Sequence, residues 1–186
     1  MKGPRTIETE RLLLRKPTIH DAQAIFERYA GDPTVTRYMS WATHRSVADT
    51  CAFLAWSEAD WEQWPAGSYL VFARDGILLG GTGLTFKTPV IAVTGYVLAR
   101  DAWGCGFATE SLQAMVELAR TTGVRRLEAV CHTEHRASAH VMEKCGFVCE
   151  GVQREHTEFP NLQPGVRCDV LRYTRKLDGC GAGVGT

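Results

Sequence analysis

The chain carries no excess of charge of either sign: 21 basic and 21 acidic residues cancel across 186 positions. Without a global field a protein is not drawn onto nucleic acid or an anionic membrane surface, so partners must be recognised locally. No run approaches the ~18 consecutive apolar residues of a membrane span, and the opening "MKGPRTIETERLLLRK" lacks the apolar stretch of a signal peptide. We therefore expect a cytoplasmic protein with no nucleic-acid and no membrane partner. Also missing is the even, regular cysteine set that staples small secreted domains; the seven cysteines are odd in number and scattered, which reads as reduced thiols. The stretch "CHTEHRASAHVMEKCGFVC" gathers Cys131, His132, His135, His140, Cys145 and Cys149, yet it has no C-x-x-C pair and His135 and His140 diverge on a helix, so no metal site is expected. Internal repeats are absent.

What is present fits one domain with a substantial core over residues 1–176, followed by a glycine-rich tail, 177–186, expected to be flexible. "RLLLRKP" reads as an opening strand. Thr18 with Asp21 and Ser46 with Asp49 read as capping boxes that open two helices, one to about Ala30 and one to about Trp61 or Gln63. Phe53, Trp56 and Trp64 form an aromatic stripe on the second, a pattern that more often marks core than site. Asp75-Gly76 joins two apolar runs as a tight hairpin, and a strand follows at about 92–99. Ala108, Leu112, Met115, Val116 and Ala119 recur at helical spacing from Phe107 to Thr122, with Gly123 as the stop. A strand near 126–132, a short helix over 136–145 and two strands at about 147–154 and 167–175 complete the order βααβββαβαββ. That order predicts an α/β domain (α+β in its segregation) with a mixed sheet covered by helices.

Between the 92–99 strand and the long helix lies "AWGCGFATES", a loop with Gly104 and Gly106 at a helix start. A P-loop is excluded, since no G-x-x-x-x-G-K-[ST] occurs. A dinucleotide fingerprint fits in part, with Thr109 in place of the third glycine and Glu128 downstream, but Glu128 falls inside a strand and the repeated βαβ units are missing. A third arrangement needs only main-chain donors: the first N–H groups of a helix have no internal partner and the dipole there is positive, so a diphosphate can be held without lysine.

"WGCGFATES", "HRASAHVMEKCGFVCEG" and "IETERLLLR" together resemble the GNAT superfamily, in particular the branch typified by the RimJ and RimL ribosomal-protein N-terminal acetyltransferases, over about residues 6–176. The resemblance implies a GNAT fold: a mixed, mostly antiparallel sheet of about six to seven strands flanked by four helices and splayed between the strands at about 92–99 and 126–132. It implies acetyl-CoA as cosubstrate, its pyrophosphate cradled by Gly104, Cys105, Gly106, Phe107, Ala108 and Thr109 beside Trp103, and its pantetheine arm paired with the main chain of Tyr96, Val97, Leu98 and Ala99. His135 stands where the family's asparagine touches the cofactor, and Ser138 is retained. Relatives often pair, so a homodimer is expected too.

Acetyl transfer to an amine needs a neutral amine, a stabilised oxyanion and a proton for the departing thiolate. Many family members supply that proton from a tyrosine where this chain has Met142, so Ser138 is the expected acid, with an oxyanion donor near Val97 or Leu98. Relatives with a strand glutamate have it where Val93 stands; Glu134, His132 or a water relay are the candidate bases. At pH 7 an α-amine is about a tenth neutral and a lysine about 0.04%. Weak basic assistance therefore favours a peptide N-terminus or a small low-pKa amine, expected to pass Tyr38, Trp41 and His44. A non-catalytic acyl-CoA-binding module and an acetyltransferase of aminated antibiotics are the alternatives.

Overall fold

The structure, a computed structural model, describes residues 2–177. Eight strands form one sheet in the order β1-β2-β3-β4-β5-β6-β8-β7. They are β1 Thr6–Glu8, β2 Leu12–Arg15, β3 Ser68–Ala73, β4 Leu78–Thr88, β5 Ile91–Leu98, β6 Arg126–His132, β7 Val148–Glu158 and β8 Arg167–Lys176. The helices are α1 Ala22–Ile25, α2 Pro33–Thr36, α3 Val47–Gln63, α4 Phe107–Thr121 and α5 Arg136–Lys144. The sheet has more strands than the six to seven expected because the opening segment folds back on itself, with Ile7 opposite Leu14.

Both capping boxes are formed. The first helix, however, is not one regular helix to Ala30: a 3-10 turn at Ile19–Asp21 leads into α1, and a π turn follows over Phe26–Ala30, closed by the Gly31 N–H donating to Phe26 O at 2.9 Å. At the hairpin, Gly76 adopts φ 88° and Asp75 accepts the Ile77 N–H at 3.1 Å. The short α2 starts because Asp32 caps Thr34 and Pro33 sits at the first helical position.

Alternation along β3 divides the core. Tyr69 and Val71 pack with Leu112, Met115 and Ala119 of α4, while Leu70 and Phe72 pack with Ile25, Tyr29 and Leu54 on the other face. Each fully buried Leu, Ile, Val or Met among them contributes roughly 1.5–3 kcal/mol. Trp64 stacks on Phe86 at 5.4 Å and packs against the α4 side of the core, and Phe53 packs against the core on the other face; Trp56 is half exposed. Leu177, assigned above to the tail, is buried and donates its N–H to Arg125 O, so the packed domain includes it. The remainder of the expected tail, 178–186, lies outside the described residues.

All strand pairs are antiparallel except β5 and β6, which α4 connects as a crossover. This parallel pair lasts only three residues, Ile91 to Val93 against Arg126 to Glu128. Beyond it β5 stays with β4 and β6 with β8, and a slot opens between them.

Candidate active site

The loop into α4 is shaped by two left-handed glycines, Gly104 at φ 75° and Gly106 at φ 80°, a conformation that costs any residue with a Cβ. The first helical bond runs from Glu110 N–H to Gly106 O at 3.1 Å. Among the described residues no acceptor is met by the N–H groups of Gly104, Cys105, Gly106, Phe107, Ala108 or Thr109. Six consecutive main-chain donors, in and just before the first turn of a fifteen-residue helix, thus lie at its positive end without partners among the described residues.

An arginine that the sequence pattern did not single out fixes this loop from beneath. Arg11 donates through Nη1 to Cys105 O at 2.8 Å and through Nε to Glu110 Oε2 at 2.7 Å, and its guanidinium lies 4.8 Å from the Phe107 ring centroid. Burial works against ionisation of Glu110, but bonds from Thr9 and Arg11 outweigh it and hold the carboxyl below its ordinary range. The only signal in the sequence was the quoted "IETERLLLR", whose partner lies about a hundred residues away. On the far side, Trp103 Nε1 donates to Leu98 O at 2.7 Å and ties the loop to the end of β5.

The strand β5 presents its main chain alternately. The Ala99 N–H donates to Leu79 O at 2.8 Å, and stepping back by two along the antiparallel ladder commits Val97 and Gly95 to β4 as well. Tyr96 and Leu98 then direct their amides to the slot. Of the two residues named as oxyanion donors, Leu98 has its N–H on the slot side and Val97 does not.

Inside the slot the Tyr96 hydroxyl donates to Ser138 Oγ at 3.1 Å. Burial pushes the Tyr96 phenol up to about 12, and burial likewise raises the Cys131 thiol to about 11, so both keep their protons at neutral pH. Met142 is buried against the same space, and Val93 lines it near the closed end. His132 is buried, accepts the Glu134 N–H on Nδ1 at 3.2 Å and meets Phe159 edge-on; neither it nor the exposed Glu134 lines the cavity. His135, expected to touch the cofactor as a cap, makes no side-chain cap bond. Its ring stacks on Tyr38 at 4.6 Å and faces the cavity, and burial, with help from His132, lowers its pKa.

The slot and the space in front of it form one cavity of about 600 Å³. Tyr38, Trp41 and His44 line it, joined by Phe53 and Trp56 of α3 and by Phe159. The His44 Nδ1 pairs with Thr50 Oγ1 at 2.8 Å, and burial lowers its pKa against the pull of Asp49. The loop carrying Tyr38 to His44 is pinned by Asn161, whose Oδ1 accepts the Thr43 N–H at 2.7 Å and whose Nδ2 donates to Trp41 O at 2.9 Å. Asn161 lies between the two last strands, and no local pattern in the sequence marked it. Glu128 lies at the closed end of the seam, where Lys87 and Arg172 reach it at 2.8 Å and Arg126 at 2.9 Å. It serves no ribose site.

Residues 11–148 match the family model described as acetyltransferase (GNAT) domain. Among relatives, the uncharacterized N-acetyltransferase YoaA of Bacillus subtilis (strain 168) is 31% identical over 155 residues, covering 81% of this chain and 86% of its own. Among solved structures, the microcin C7 self immunity acetyltransferase MccE, in complex with acetyl-CoA and AMP, aligns with a TM-score of 0.83 at 19% identity over 94% of this chain and 97% of its own. RimL, the ribosomal L7/L12 alpha-N-protein acetyltransferase in complex with coenzyme A, gives 0.81 at 23% identity over 93% and 98%. At these identities the two structures establish the shared fold.

Proposed function

Because this chain belongs to the GNAT acetyltransferase family, we propose that it moves an acetyl group from acetyl-CoA to a primary amine, the α-amine of a peptide or protein N-terminus or a small amine of similarly low pKa. The observation that carries this is the row of unpartnered N–H groups from Gly104 to Thr109, in the loop that Trp103 ties to the end of β5, the strand that carries Tyr96 beside Ser138. The residues fit a coenzyme A thioester. Main-chain donors at a helix start suit a diphosphate, and the free side of β5 at Tyr96 and Leu98 suits an extended arm that pairs as an added strand. MccE and RimL, solved with acetyl-CoA and with coenzyme A, support acetyl-CoA as the cosubstrate.

Acetyl-CoA supplies the activated acyl group. Leu98 offers its amide to the negative charge that develops on the acyl oxygen. Ser138 delivers a proton to the departing thiolate and is resupplied by Tyr96, whose raised pKa keeps it a donor. His135, held toward its neutral form within the cavity, is the side chain best placed to accept the amine's proton, directly or through water; the geometry favours it over His132 and Glu134. A weak base of this kind suits an α-amine far better than a lysine.

The test measures acetyl-CoA binding by titration calorimetry and thiol release with an N-terminal peptide and an Nα-blocked lysine peptide. We expect binding, and turnover of the first peptide only. Binding with no turnover across a broad amine panel would instead identify a non-catalytic acyl-CoA-binding module, and no binding at all would overturn the proposal.

A further inference from the structure

The cavity wall has a composition that narrows the acceptor. Rings converge on it from four separate segments: Tyr38 and Trp41 from the loop after α2, Phe53 and Trp56 from α3, Phe159 from the end of β7, and His135 from α5. Not one Asp, Glu, Lys or Arg lines it among the described residues. Glu134, next to His135 in sequence, is exposed and does not line the cavity, and two other carboxylates close by in sequence are already engaged. Asp32 caps Thr34 and pairs with Arg100 at 2.8 Å, and Asp49 accepts the Arg45 and Ser46 N–H groups at 2.7 and 3.2 Å.

We propose that this cavity is a specificity site for a single amine carried next to an aromatic or large apolar group, and that it rejects polyamines and aminoglycoside-type polycations. The inference rests on the acetyl-transfer reading for the identity of the reacting group. Its physical basis is separate from that reading. A second or third ammonium entering the cavity would lose its water and meet no carboxylate, which is strongly unfavourable. A flat ring gains instead, since aromatic walls bury a large area and orient edge or face contacts. One ammonium can rest on an aromatic face. Trp56, half exposed, sets the mouth, so the apolar group passes an indole before reaching His135 and Ser138.

The experiment compares alanine amide, phenylalanine amide, tryptophan amide, spermidine and kanamycin at pH 8 with the full chain. Each is measured as an acetyl acceptor and, without acetyl-CoA, as a ligand by calorimetry. The aromatic amides should exceed alanine amide by at least about tenfold in kcat/KM and in affinity, with both polycations below all three. Trp41→Ala should erase most of the aromatic preference through KM, and Trp41→Phe should restore part of it. Trp56→Glu, at an exposed position that tolerates change, should raise the response to spermidine. Equal responses to alanine and phenylalanine amides, or polycations that match the aromatic amides, would overturn the inference. The binding arm reads the cavity even if acetyl-CoA fails to bind, so a failure here is distinguishable from a failure of the acetyl-transfer reading.

Discussion

The two ends of the β5–β6 seam are built for opposite purposes. At one end three residue pairs form a parallel ladder, and Glu128 is gripped by Lys87, Arg126 and Arg172, with Glu150 completing the network through both arginines. At the other the ladder stops, and the space is taken by uncharged groups: Tyr96, Ser138, Cys131 and Met142. The closed end satisfies every charge it buries, so it holds the strands in register. The open end leaves main-chain donors unused, and an unused donor in a sheltered place is where a ligand can do what the protein has not done for itself. A parallel pair is needed for this arrangement because each strand keeps its other neighbour, so the sheet survives the gap.

Substitutions at the two ends should therefore separate rate from stability. The largest effect is expected from Ser138→Ala, a fall in kcat of roughly 10²–10⁴-fold with acetyl-CoA affinity and melting temperature little changed, checked by steady-state kinetics beside calorimetry. Loss of cofactor affinity in that variant would instead make Ser138 a binding residue. At the closed end, Glu128→Gln should cost about 2 kcal/mol of stability in urea, below the range for fully buried pairs because its three cations are partly exposed, and kcat per folded molecule should persist.

This stabilisation has a pH signature. Burial alone would raise the Glu128 pKa, but bonds from Lys87, Arg126 and Arg172 outweigh it and bring it from 4.5 to about 2. A depressed carboxylate stabilises the fold above its unfolded pKa and loses that contribution as pH falls through the folded one. The gap in melting temperature between wild type and Glu128→Gln should accordingly be constant above pH 4.5 and shrink towards pH 2. A gap unchanged at pH 2.5 would mean that the network contributes nothing through charge.

Two smaller effects sharpen the contrast within the open end. Gly106→Ala forces a Cβ into φ 80° and brings it within 3.3 Å of Arg11 Nη2, so acetyl-CoA affinity should fall about tenfold, from about 1–2 kcal/mol of strain, while the amine KM stays put. Tyr96→Phe removes one neutral hydrogen bond to Ser138, worth about 1 kcal/mol, and should lower kcat by less than tenfold. A drop as large as that of Ser138→Ala would make Tyr96 itself the acid.

The site was legible in parts that share a cause. The glycine pair, the helix it opens and both capping boxes were visible because each depends on neighbours within a few positions. The π turn at Phe26–Ala30 was not, since its pattern of apolar residues is that of an ordinary helix. Phe53 was legible as core, against which it packs, but that it and Trp56 also border a cavity was not, because spacing tells which face a ring occupies and not whether the space beyond it is filled. That the His135 ring stacks on Tyr38 was not legible, since Tyr38 lies almost a hundred residues earlier.

By itself the sequence determined the backbone that can grip a phosphate: left-handed φ at Gly104 and Gly106 and a free helix start are properties of adjacent residues. Only the tertiary structure decided what stands opposite. Asn161 holds the Tyr38–His44 loop across more than a hundred residues, and Arg11 braces Cys105 across ninety-four. Contacts of that range follow from strand register and sheet order, and no local spacing encodes them.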